Sequence, residues 1–290
     1  MRRLFKWLLR RITAPFRWLW KVFLAFLNLT PFRDFLVEEP EDTPILDTVQ
    51  KAGQEPKEFL FALLEHLNEL RKHLLNSLIV LLITSGLSFY YISDILHWLT
   101  MPVGGIEKLQ ATEVTEPVSV VMRVALTGGF AIAIPYISFE LLRFIAPGIS
   151  KKARAISLMA IPFVSVFFIA GMLFAYYFML PVAIKVMLNF GGFTTIARPD
   201  SYFRTVGGIM FWIGIAFEFP LVSFLLSAMR ILSPKMLKDN WRMALILLSI
   251  FAAMITPTTD PINMMIVLIP LMVLYGLGII MAQLGRPKKA

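Results

Sequence analysis

Two acidic residues draw attention by position. Glu218 lies in the middle of an apolar run, in Gly-Ile-Ala-Phe-Glu-Phe-Pro. An ionisable group at the centre of a bilayer costs about 2.5–3.5 kcal/mol on insertion scales, so a functional site is the default expectation there. The structural alternative is a carboxyl bonded to a neighbouring helix. Pro220 follows, lacks an N–H, and loosens the backbone bonding nearby. Glu69 lies just before the first long apolar run, in Glu-His-Leu-Asn-Glu-Leu-Arg-Lys-His over residues 65–73. Taken alone, that stretch reads as the amphipathic start of a helix with solvated charged faces. Thr256 and Asp260 bracket Thr-Pro-Thr-Thr-Asp-Pro, and Asn263 follows it. Asp-Pro ahead of a helix is also ordinary capping chemistry.

Most catalysis is disfavoured. The chain has no cysteine, which excludes disulfides, thiolate-bound metal, iron–sulfur clusters and thiol nucleophiles. His66, His73 and His97 fall at no metal-ligand spacing, and no HExxH, GxSxG or GxxxxGK[ST] motif occurs. An intramembrane protease would want a Ser–His or paired-Asp arrangement inside the spans, and none is present. No cofactor and no metal are expected.

The elements that must position these residues are membrane spans. The chain is 58% apolar and only 16% charged, with a mean hydropathy of +0.73. Soluble domains have about 45–50% apolar and about 25% charged residues, so this is a polytopic membrane protein. Six stretches come close to the ~20 apolar residues a crossing helix needs. They run over residues 74–93, 121–142, 155–184, 205–229, 243–256 and 262–284. The predicted fold is therefore an all-α integral membrane protein of six transmembrane helices. The last two read as short, joined by the tight 256–261 turn, because a stretch of ~14 residues spans only ~21 Å of helix.

Of the 28 Lys and Arg residues, Lys108, Arg123, Lys185, Arg198 and Arg204 fall on one side of these spans and the rest on the other. Positive charge marks the cytoplasmic side, so both termini are expected in the cytoplasm.

Residues 1–32 carry Arg and Lys near helical spacing among Trp, Leu and Phe, and read as a basic amphipathic helix on an anionic membrane surface. A signal peptide and a seventh span over residues 12–32 are the rival readings. Residues 33–58 are acidic and proline-bearing and read as a flexible linker. Residues 59–285 form the membrane domain, and residues 286–290 a basic cytoplasmic tail.

Six segments in order resemble the TatC family, the polytopic subunit of the twin-arginine protein translocase. They are HLNELRKHLLN (66–76), FELLRFIAPGISKKAR (139–154), GMLFAYYFMLP (171–181), FEFP (217–220), SPKMLKDNWR (233–242) and TPTTDP (256–261). The likeness covers about residues 60–285. It implies a cup-like bundle in the cytoplasmic (inner) membrane that binds twin-arginine signal peptides of folded proteins. It also implies single-span TatA/TatB-type partners, further copies of the chain within one complex, and transport driven by the proton motive force. Glu69 is the residue expected to take the arginine pair, since guanidinium pairs with carboxylate bidentately and Lys cannot copy that geometry. Phe144 and Pro147 should shape the same surface, and Arg71 should hold it in place. Glu218, Thr256, Asp260 and Asn263 are expected to face a cavity or partner helices. Two departures stand out. Ala153 occupies the place where many members carry a second Glu, so Glu65 or Glu140 is a candidate substitute, and His73 replaces an Arg. The alternative function is a six-span solute transporter or channel, although no convincing internal repeat supports a carrier.

Overall fold

The computed structural model describes residues 56–145, 151–189, 197–228, 231–256 and 261–285. The surface helix at 1–32, the linker up to residue 55 and the tail at 286–290 lie outside the described residues, as do Pro147 and Asp260. Among the described residues there are ten α-helices and no strand, only a single β-bridge between Leu109 and Ala197.

Helix α1 covers Pro56–Tyr90, α2 Ile92–Thr100 and α3 Glu116–Ile145. Helix α4 covers Lys151–Phe174 and passes through a π-helical turn, Ala175–Met179, into α5 at Leu180–Leu188. Then follow α6 (Pro199–Phe217), α7 (Phe219–Ala228), α8 (Pro234–Asp239), α9 (Trp241–Ile255) and α10 (Pro261–Gly285).

Five segments are long and apolar enough to cross a membrane: Leu64–Tyr90, Glu116–Ile145, Ser157–Leu188, Pro199–Ala228 and Pro261–Gly285. The shorter apolar helix α9 is the sixth. The expectation of two short final helices is half corrected. Helix α9 has 15 residues, but α10 has 25, about 37 Å at ~1.5 Å per residue. Its apolar run has no charged residue to end it, and Pro270 is carried inside the helix. The first helix also reaches further out than hydropathy suggests: the chain is helical from Pro56, because the residues before the apolar run continue the helix outward, so the last three residues of the expected 33–58 linker are helical.

The chain divides into two compact units, residues 1–74 with 138–163, and residues 75–137 with 164–290. In the first unit, the described parts are the start of α1, the end of α3 and the start of α4. Its buried residues include Phe139, Leu158 and Ile161, together with two charged ones, Glu140 and Arg154. The charge tally places Arg154 in a loop, whereas the structure places it inside α4 and buried.

The second unit has the main core. Phe168, Ala175, Leu180, Val206, Ile213 and Ala252 are all buried there. Small residues let its helices approach. A Cβ on Gly129 would come within 2.6 Å of the Ser85 backbone, and one on Gly214 within 2.8 Å of the Phe168 ring. Helices α7 and α10 lie together in the same way. A Cβ on Gly278 would reach 2.4 Å from the Phe219 ring, and the Ser227 hydroxyl donates to the Ala282 carbonyl at 2.6 Å. A Cβ on Gly208 or Gly276 would meet nothing within 4 Å. The segment after α1 turns at Gly104 and Gly105, whose φ values of 94° and 108° suit glycine. It is tied into the core by Tyr176 and Tyr202, which donate to the Trp98 and Leu99 carbonyls at 2.6 and 2.8 Å.

Candidate functional site

In the first unit, His66, Glu69 and His73 share a face of α1, being three and seven residues apart on a helix with 3.6 residues per turn. The His66 ring stacks on Phe144 of α3, with centroids 4.3 Å apart and planes 19° apart. The His66 Nδ1 is 3.6 Å from the Glu69 carboxylate. The His73 ring meets the same Phe144 edge-on at 6.4 Å. Its Nδ1 lies 2.5 Å from Glu140 Oε2, and Arg143 stands 3.9 Å from the other Glu140 oxygen. The side chain of Glu69 is 47% exposed, while that of Glu140 is 2% exposed.

This arrangement offers an open carboxylate beside a flat imidazole–phenyl stack. A guanidinium can donate two hydrogen bonds to such a carboxylate and lie against such a stack, which an ammonium cannot do as well. The structure thus brings Glu69 and Phe144 together through His66. Arg71 is exposed and, two residues from Glu69, falls on a different side of the helix. His66 was noted in the sequence only as unsuited to metal binding. Its ring contact depends on a residue in another helix, which no local pattern discloses.

In the second unit, Glu218 sits at the one-residue break between α6 and α7. Its N–H bonds the Ile215 carbonyl at 3.0 Å, and the missing N–H of Pro220 accounts for the break. Both carboxyl oxygens are buried without a completed hydrogen bond, although the Phe168 backbone comes near them. Beside them is a cavity of about 340 Å³ whose walls include Phe219, Phe251, Leu271 and Tyr275. Thr256 and Asn263 are buried but do not line this cavity. The Thr256 hydroxyl donates back to Ala252 at 3.0 Å, closing the end of α9. The structure therefore does not bring Glu218, Thr256 and Asn263 together around this cavity.

The second unit also contains an ion cluster that the charge tally treated only as scattered basic residues. Arg198 bonds the buried Glu116 through Nε at 3.0 Å and Nη2 at 2.5 Å, and lies 3.3 Å from Glu113. These bonds hold the Arg198 pKa above its ordinary value. Asp200 receives Arg123 at 3.0 Å and Arg204 at 2.6 Å. The cluster borders a cleft of about 640 Å³ and joins the start of α3 to the start of α6. The readable signal was the matching acids, Glu113, Glu116 and Asp200, on the same predicted face as those bases.

Five helices long and apolar enough to cross a membrane, with a sixth shorter apolar helix, define a polytopic helical membrane protein. Comparison with known proteins specifies the class. Residues 65–270 match the Sec-independent protein translocase protein (TatC) family. The chain is 31% identical over 230 residues to the TatC of Carboxydothermus hydrogenoformans, covering 78% of this chain and 95% of that one. It is 32% identical over 237 residues to the TatC of Aquifex aeolicus, covering 78% and 97%. A crystal structure of the twin-arginine translocase receptor TatC superposes with a TM-score of 0.67 at 29% identity, covering 76% of this chain and 99% of that one. This chain belongs to the TatC family. It is therefore a membrane translocase subunit and not an enzyme, and the solute-carrier alternative is set aside.

Proposed function

We propose that this protein is the receptor and core subunit of a twin-arginine translocase, and that it takes up the arginine pair of a signal peptide at Glu69. The observation that carries the reading is the open Glu69 carboxylate beside the His66–Phe144 stack. An arginine pair needs anionic acceptors and flat surfaces at a membrane boundary, and this face of α1 supplies both. By the distribution of basic residues, the start of α1 and both termini lie in the cytoplasm, and from the likeness to TatC we take the membrane to be the cytoplasmic (inner) one. Pro147 would border the same surface. Residues 1–32 would add a basic helix at that membrane face.

Single-span partners of the TatA/TatB type dock, on this reading, at the short α9 and the neighbouring α10. A 15-residue helix spans about 22 Å, less than the ~30 Å hydrocarbon core, so the lipid at its side thins or is replaced by another helix. Glu218 lines a cavity that α9 and α10 also border, and a polar group on such a helix would meet the buried carboxyl through it. Further copies of the chain would complete the complex, and the proton gradient would drive transport.

The test is transport of a folded reporter into inverted membrane vesicles containing this protein and its single-span partners. Import should require two adjacent arginines in the signal peptide and an imposed proton gradient. Import that survives an Arg-Arg to Lys-Lys change would contradict the proposal.

A further inference from the structure

Two adjacent arginines present two guanidinium groups, and Glu69 is one carboxylate. Among the described residues, Glu65 and His73 each stand one helical turn from Glu69 on α1, and of the two His73 is the one held in place by a second helix. Residues four apart on a helix have Cβ atoms about 5–6 Å apart. Consecutive residues of a peptide have Cα atoms ~3.8 Å apart, so two neighbouring side chains can reach two acceptors at that spacing.

The condition of His73 is unusual for a histidine at a helix surface. Its Nδ1 lies 2.5 Å from Oε2 of the buried Glu140, and because an ionised carboxylate only accepts, that contact calls for the proton on Nδ1. A proton on Nδ1 leaves Nε2 as the accepting atom of the neutral ring, since the bond made by one nitrogen sets the role of the other. The ring is also fixed against Phe144, edge-on at 6.4 Å, so its direction is set from two sides. The side chain is 19% exposed, enough for one edge to be reached. Phe144 is thus shared: His66 stacks on its face beside Glu69, and His73 touches its edge.

We propose that His73, oriented by Glu140, is the second acceptor for the arginine pair, with Nε2 taking one guanidinium while Glu69 takes the other. Glu140 is then a positioning residue, since its carboxylate is buried and acts through the ring. This inference rests on the proposed signal-peptide site and assigns its second half.

The test is a double-mutant cycle between protein and peptide. Full-length protein in nanodiscs is titrated with fluorescent signal peptides bearing Arg-Arg, Arg-Lys, Lys-Arg or Lys-Lys. The variants are His73→Phe, His73→Gln, Glu140→Leu and Glu69→Gln. A hydrogen bond to a charged group is worth a factor of roughly 10–100 in affinity. His73→Phe should weaken Arg-Arg binding by that factor. It should leave unchanged one of the two single-arginine peptides, the one whose lysine already lacks the His73 contact. His73→Gln, which retains an acceptor, should recover most of the loss. Glu140→Leu should weaken Arg-Arg binding several-fold with the same peptide dependence. In the wild type, the ¹⁵N resonance of His73 Nε2 should move on addition of Arg-Arg but not Lys-Lys peptide.

If His73→Phe and His73→Gln bind Arg-Arg as the wild type does while Glu69→Gln does not, the second-acceptor assignment is wrong and the receptor site stands. Equal losses for all four peptides in the His73 and Glu140 variants would also overturn it, reducing His73 to a packing role. If the wild type shows no preference for Arg-Arg over Lys-Lys, the receptor reading itself fails.

Discussion

Replacing Glu218 by leucine should make this protein more stable and less able to transport. Both carboxyl oxygens are buried without a completed hydrogen bond, and the walls of the adjoining cavity are apolar. Leaving a buried polar group unbonded costs about 1–3 kcal/mol, and an apolar side chain at that site removes the cost. The Pro220 break does not depend on the side chain at 218, so the backbone there should persist. For a chain of this size each kcal/mol moves Tm by about 2–4 °C, giving a rise of roughly 2–12 °C for Glu218→Leu. Glu218→Gln keeps the hydrogen-bonding capacity and should stay within about 1 kcal/mol of the wild type. The assay is thermal unfolding followed by tryptophan fluorescence in one detergent, paired with vesicle transport for each variant. A lower Tm for Glu218→Leu would show that the carboxyl is a satisfied structural group. A raised Tm with full transport would show that the buried acid has no part in function.

Three further outcomes are expected. Phe144→Ala removes the ring under His66; an aromatic pair is worth about 0.5–1.5 kcal/mol, so titration should show signal-peptide binding weakened roughly 2–12-fold. Gly129→Ala should destabilise by about 1–3 kcal/mol because its Cβ meets the Ser85 backbone, whereas Gly208→Ala, with nothing within 4 Å, should stabilise by about 0.5–1 kcal/mol; paired melting curves check both. Because the chain has no cysteine, single cysteines report topology directly: Gln110→Cys should react with an impermeant maleimide from outside intact cells, and Lys238→Cys only after lysis.

The span pattern was legible because charge-free runs are long and their loops carry biased charge. Hydropathy alone missed the outer part of α1, since Glu65 to Lys72 are mostly polar yet continue the helix. The break at Glu218 was legible from Pro220. The extent of α10 was legible, 262–284 against Pro261–Gly285, and only its description as short, by association with α9, was wrong. Glu69 and Phe144 were readable from motif likeness, but their neighbourhood was not. His73 and Glu140 are 67 residues apart, and Glu116 and Arg198 are 82 apart, so only packing brings each pair together. Periodicity reports which face a side chain occupies along one helix, not which residue of another helix meets it.

The most direct test of the account is the affinity of an Arg-Arg signal peptide, set beside its Lys-Lys counterpart, for wild-type protein and for Glu69→Gln in nanodiscs. The account predicts that wild type prefers Arg-Arg by at least tenfold, and that Glu69→Gln loses most of that preference while retaining its melting temperature. Equal binding of the two peptides by the wild type, or an undiminished preference in Glu69→Gln, would contradict it.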